Sequence, residues 1–125
     1  MTLQEVLDIT DEMKPNMMAR YLKIKYIKEI EQLIHAEIVL KHEHAEALEA
    51  KPEYDENTDP GTVLLVPEPY SMVYVYWLMS KIDIQNQEDA RYNVDRAHFE
   101  NAYDTMSDWW TREHMPVQKT REFRL

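Results

Sequence analysis

Three groups of residues in this sequence have types and spacings that could do chemistry. His42, His44 and Glu46 carry metal-ligating groups at alternate positions. On a helix, a spacing of two points side chains in different directions, whereas paired ligands stand three or four residues apart. The cluster therefore reads as a solvated helix end rather than a metal site. Asp55, Asn57 and Asp59 resemble the opening of a calcium-binding EF-hand loop. The sixth position of such a loop needs glycine and is Pro60 here, and the twelfth needs a bidentate glutamate and is Val66. An acidic loop is the better reading. Asp104 and Asp108 lie one helical turn apart, but acidic helices contain many such pairs, and no converging acid, base and pocket accompanies them. The sequence contains no cysteine, which excludes disulfides, thiolate metal sites and cysteine nucleophiles. The single glycine, Gly61, leaves no place for phosphate-cradling loops or a nucleophile elbow. No catalytic residue, cofactor or metal ligand is assigned, and the chain reads as something other than an enzyme.

The residues that remain must therefore act through packing and surface. A length of 125 residues suits one domain. Asp and Glu number 24 against 14 Lys and Arg, a net charge of -10, which opposes binding to nucleic acid and to anionic membrane. No apolar run approaches the roughly 18 residues of a membrane span, and the Thr2-Leu3-Gln4-Glu5 start lacks the basic and apolar regions of an export signal. The expectation is a soluble, unexported chain. Glycine scarcity also disfavours β-hairpins and favours helices.

Helical periodicity appears in four stretches. Leu3, Val6, Leu7 and Thr10 share a face, and Thr2 with Glu5 fits a capping box, predicting a first helix over about 2–13. Pro15 ends it, and Asn16 can turn the chain or cap the next helix. The second helix, about 18–44, carries Ile24, Ile27, Ile30, Ile34 and Ile38 on one side. Lys23, Lys25, Lys28, Glu29, Glu31 and Glu37 make its other face, read as solvated. A third, about 69–85, is apolar almost all round from Tyr70 to Met79. It is either the buried centre of a bundle, or it buries one face in its own core and the other in a neighbouring subunit. Asn86 is expected to cap the fourth, which runs to about His114 with an aromatic stripe of Tyr92, Phe99, Tyr103, Met106 and Trp110, widened by Trp109. The short corner makes helices three and four antiparallel neighbours.

Between the second and third helices, about 45–69, periodicity fails among prolines and acids, giving a loop of about 25 residues, longer than a compact domain tolerates without purpose. Thr62 to Val66 is its β-like run, too short to form a sheet alone, which suggests a partner. After Pro116 comes a basic tail, 117–125, with Lys119, Arg121, Phe123 and Arg124, which either docks on an acidic surface or is disordered. The fold class is all-α: a four- or five-helix bundle-like domain over 1–116 with a long loop holding a short β-like segment.

Several segments together resemble a family of small structural proteins of tailed phages and Firmicutes prophages. They are Asp11-Glu12-Met13-Lys14-Pro15-Asn16, Glu29-Ile30-Glu31 with Glu37, and Leu64-Leu65-Val66-Pro67-Glu68-Pro69-Tyr70. The run from Tyr76 through Lys81-Ile82-Asp83 to Asn93, Phe99, Asn101, Ala102 and Tyr103 completes the match, which covers about residues 3–116. The Leu64–Tyr70 element followed by the aromatic helix is its most specific part. This chain departs from the family at Asn86-Gln87-Glu88, where an Asn-Gly corner is expected.

The resemblance implies a head-tail connector, or adaptor, in the virion neck, assembled in the host cytoplasm. Such proteins form a ring, commonly of twelve copies, between the portal protein and a stopper or tail-completion protein. DNA would pass through the channel without specific binding, and no membrane is involved. A closed ring needs two different adhesive surfaces per subunit. The expected contacts are Val63, Leu64, Leu65 and Val66 in the loop, ordering only on assembly, with Tyr70, Tyr74 and Trp77. Trp109 and Trp110 on the fourth helix and Arg121, Phe123 and Arg124 in the tail join them. The alternative is a monomeric cytosolic helical module, an inhibitor or accessory factor that binds a peptide between its aromatic helices.

Overall fold

The computed structural model describes residues 1–41 and 52–113. Among them the chain is all-α: α1 spans Leu3–Met13, α2 Arg20–Glu37, α3 Met72–Gln85 and α4 Asp89–Glu113, with a short 3-10 turn at Val39–Lys41. The expected end of the second helix beyond residue 41, the start of the long loop and the basic tail lie outside the described residues.

The N-terminus of α1 is capped as its sequence predicts. Thr2 Oγ1 accepts from the Glu5 amide at 3.2 Å, and Glu5 Oε1 accepts from the Thr2 amide at 3.0 Å. The next two free donors find partners far away in sequence. Leu3 N–H donates to the Thr62 carbonyl at 2.9 Å and Gln4 N–H to that of Pro60 at 3.0 Å. Thr2 and Val63 also form an isolated antiparallel bridge. The β-like run thus pairs with the protein's own N-terminal residues, correcting the expectation that it needs a second chain.

Asn16 turns the chain: its Oδ1 accepts from the Met18 amide and its side-chain amide donates to the Lys14 carbonyl. Helix α2 begins later than periodicity suggests, at Arg20, without a side-chain cap. Pro69, expected in the first turn of the third helix, precedes it in a turn closed by Tyr70 N–H to the Pro67 carbonyl at 3.0 Å.

Helix α3 is the hub, packing against α1, α2 and α4. That explains an apolar circumference: of its two readings, burial at the centre of the domain accounts for Val73, Tyr74, Val75, Leu78 and Ile82, all inaccessible to solvent. Against them lie Ile24, Ile27, Ile30 and Ile34 of α2, and Leu3, Val6 and Leu7 of α1, also buried. Each such side chain contributes roughly 1.5–3 kcal/mol of transfer free energy.

Helices α3 and α4 are antiparallel and joined through rings. Trp77 lies 5.1 Å from Phe99, Tyr76 stacks on His98 at 5.2 Å, and Tyr70 stacks on Trp109 at 4.8 Å. The corner between them is a Schellman turn. Glu88 N–H donates to the Asp83 carbonyl and Gln87 N–H to that of Ile84, while Gln87 adopts φ 58°. Asn86 therefore ends α3 rather than capping α4, whose first bond runs from the Tyr92 amide to the Glu88 carbonyl. Gln87 occupies the left-handed position where glycine is normally found. Replacing Gln87 by Gly should relieve this backbone and raise stability by about 0.5–1 kcal/mol, roughly 4 °C in Tm. Thermal unfolding checks it, and an unchanged or lowered Tm would contradict it.

Candidate functional site

The residue that organises the loop is Glu31, on α2. Its side chain is wholly buried, contrary to the reading of that face as solvated, and each oxygen is bound. Oε2 accepts from the Tyr54 hydroxyl at 2.9 Å and from the Leu65 amide at 3.0 Å, and Oε1 accepts from the Tyr74 hydroxyl. Tyr74 in turn accepts from the Val66 amide at 2.9 Å. One carboxylate thus binds α3 and two points of the 52–69 loop to α2. Burial pushes the Glu31 carboxyl above its ordinary range, with the three donors opposing it. Burial next to Glu31 also raises the Tyr54 and Tyr74 hydroxyls, so both remain donors at neutral pH.

Spacing identifies this residue where its charge conceals it: Ile24, Ile27, Glu31, Ile34 and Ile38 recur at alternating threes and fours, and Glu31 occupies a core slot in that series. Lys23, also assigned to the solvated face, is buried and pairs with Asp11 at 2.6 Å.

The clasp decides where the expected contact residues go. Leu64 and Val66, expected to be contact residues, are buried in the core of the single chain, as are Tyr74 and Trp110. Leu64 and Val66 are thus covered within the chain itself. The amides of Leu64, Leu65 and Val66 are bound within the chain by the Met1 carbonyl, Glu31 and Tyr74. Val63 stays 70% exposed, and Pro67, Glu68 and Pro69 form an exposed knuckle. Leu65, Tyr70, Trp77 and Trp109 are half-buried. Trp77 donates its Nε1–H to the Tyr26 carbonyl at 2.9 Å, and Lys81 Nζ lies 4.3 Å from its ring. Arg121, Phe123 and Arg124 lie outside the described residues.

Beside the knuckle, Pro69, Tyr70, Met72, Tyr76, His98 and Ala102 line an open cleft of about 290 Å3. Of the residues considered for chemistry, His42, His44 and Glu46 lie outside the described residues. Asp55 and Asp59 bind their own loop, accepting from the amides of Asn57 and Gly61, both at 2.8 Å. Asp104 and Asp108 are exposed on α4. Among the described residues no group of three or more His, Asp or Glu could hold a metal ion, and no helix is long and apolar enough to cross a membrane.

A second polar cluster is not legible in the sequence. Lys14, at the end of α1, lies 2.9 Å from Oδ1 of Asp83 on α3 and 2.5 Å from Glu88 in the corner. Asp95 of α4 faces Asp83. Lys14, Asp83 and Asp95 are all buried. The pairing is long-range, and only the tertiary fold brings these residues together.

No family model, curated protein or solved structure matches the chain.

The clasp makes a direct prediction. Glu31→Gln keeps the volume but turns a donor toward donors, and should cost about 1–3 kcal/mol, the usual penalty for an unsatisfied buried group. Tyr54→Phe removes a single bond and should cost about 1 kcal/mol. Denaturant unfolding measures both. Amide exchange at Leu65 and Val66 should accelerate in Glu31→Gln, and a variant as stable and protected as the parent would show the clasp to be dispensable.

Proposed function

We propose that the protein is a structural, non-catalytic subunit of a tailed-phage head-tail connector, forming a ring between the portal protein and a stopper or tail-completion protein. The observation that carries this reading concerns the segments of the family resemblance: in the fold they hold one another. Glu31 of Glu29-Ile30-Glu31 binds Leu65 of the Leu64–Tyr70 element, and Lys14 pairs with Asp83 of Lys81-Ile82-Asp83. The resemblance thus lies on the contacts that set the shape of the domain. What the clasp leaves outside is Val63 and the Pro67-Glu68-Pro69 knuckle, which runs into Tyr70, stacked on Trp109. A preorganised apolar edge loses little entropy on docking, which suits a subunit that must repeat one contact around a ring.

Charge supports the same reading. Asp89, Glu100, Asp104, Asp108 and Glu113 are exposed along α4 against Arg91 and Arg112, so acids outnumber bases there. A surface of that sign lining a channel would let DNA pass without adhering. The aromatic cleft favours a second reading, a monomeric module that binds an extended peptide there.

The test is to combine the protein with its cognate portal protein and to measure mass by native mass spectrometry and shape by electron microscopy. The ring reading expects a closed multimer on the portal, and the module reading a 1:1 complex or none. Val63→Asp should leave the fold intact, since the side chain is exposed, and weaken assembly at least tenfold, about 1.4 kcal/mol per contact. Assembly indistinguishable from the parent would remove Val63 from the interface, and failure of the parent to form a multimer with the portal would remove the connector reading.

A further inference from the structure

The surface between α2 and α4 lies outside both the clasp and the ring contacts proposed above. Each of these helices packs against α3, and they make no close packing with each other. Leu33 of α2 and Phe99 and Tyr103 of α4 line an open groove of about 340 Å3 there, with Arg96, Glu100 and Asp104 along its α4 side. Leu33 is 40% exposed, so an apolar wall faces solvent. The rim is mainly acidic. Among the described residues Asp104 has no ion pair, Glu100 pairs only with Arg96 at 3.2 Å, and Glu37, one turn beyond Leu33, pairs only with Lys41 at 3.3 Å. Exposed pairs four residues apart on a helix contribute little and exchange easily. An apolar floor under an acidic rim is complementary to a segment that offers an aromatic ring between cations. Such a segment follows α4 in the sequence. Residues 117–125 lie outside the described residues, and they hold Lys119, Arg121 and Arg124 around Phe123, with Glu122 as their one acid. Three cations against one acid give this segment a net charge of +2, on a chain that carries -10.

We propose that the α2–α4 groove is the docking site of this chain's own basic segment 117–125, with the Phe123 ring against Leu33, Phe99 and Tyr103 and the flanking cations on the acids of the rim. Reach permits it. From Glu113, where α4 ends, back to Glu100 is about 20 Å along the helix. The ten residues from Glu113 to Phe123 span up to about 33 Å, more than that distance requires. Tethering favours the same molecule over a second one, because a short tether holds its segment at an effective concentration of about a millimolar or more. Burying the ring supplies most of the affinity, and the cations select the acidic groove over the aromatic cleft beside Pro69. Because those cations meet acids in solvent, salt screens the attraction. The docking lies within one chain and does not depend on the ring reading.

Proton NMR of the full-length protein tests this without any substitution. At low salt the Phe123 ring should give nuclear Overhauser contacts to the Leu33 methyls, and these should weaken as sodium chloride is raised. Their absence at low salt would overturn the proposal and leave the groove to another occupant. Mixing labelled with unlabelled protein separates the two sources of such a contact: cross-peaks found only between chains would show that the segment serves a neighbour, and would overturn docking on its own groove. Phe123→Ala should lower the docking constant at least about tenfold, read from the Leu33 methyl shifts, while the amide shifts of Leu65 and Val66 stay in place as a control on the fold. Asp104→Lys, at an exposed position, should weaken docking and flatten its salt dependence. Leu33 shifts that ignore both substitutions would refute the assignment of Phe123 and of the acidic rim.

Discussion

Burying an ionisable carboxyl is among the most expensive things a small domain can do, and this fold is built around one. Glu31 sits in the middle of an isoleucine face, where its desolvation must be offset by donors that arrive from elsewhere. Those donors are two tyrosine hydroxyls and one loop amide, and together they fix the position of the 52–69 segment. Remove the carboxylate and the loop loses its principal polar attachment to the core, although Leu64 and Val66 remain apolar enough to stay near it. The clasp therefore supplies register more than adhesion. Apolar burial would hold the segment loosely in many positions, whereas the directional bonds to Leu65 and Tyr74 select one.

The helices are legible because they obey simple rules. Leu3, Val6, Leu7 and Thr10 predict α1, the Thr2–Glu5 box predicts its start to within a residue, and the aromatic stripe of α4 predicts its partner across the hairpin. Sequence and structure part where residue type outweighs spacing. Glu31 and Lys23 lie on the buried side by periodicity, and their charge alone argues for solvent. Lys14, Asp83 and Asp95 stand far apart in sequence, and no local pattern joins them. The pairing of residues 1–4 with 60–64 is similarly non-local: it uses the free donors of a helix start, which look satisfied by any capping box until they are counted.

The two polar clusters treat buried charge in different ways. Around Glu31 every partner is a donor, so the carboxylate suits its site. Around Asp83 the partners are a lysine and a second acid, so the site is an ion pair rather than a set of donors. The first arrangement fixes the loop on α2, and the second ties the end of α1 to α3 and to the corner before α4.

The Thr62–Val66 run also bears on how the protein avoids self-association of the wrong kind. Five consecutive residues of high β propensity with no charge among them are the type of segment from which ordered aggregates grow, by adding strand upon strand. Here the amides of its last three residues end on a terminal carbonyl, a carboxylate and a phenol. Two of those three acceptors are side chains, and a side chain cannot pass a hydrogen-bond ladder on to the next molecule. The domain thus buries Leu64 and Val66 of this sticky run and engages its last three amides within its own chain.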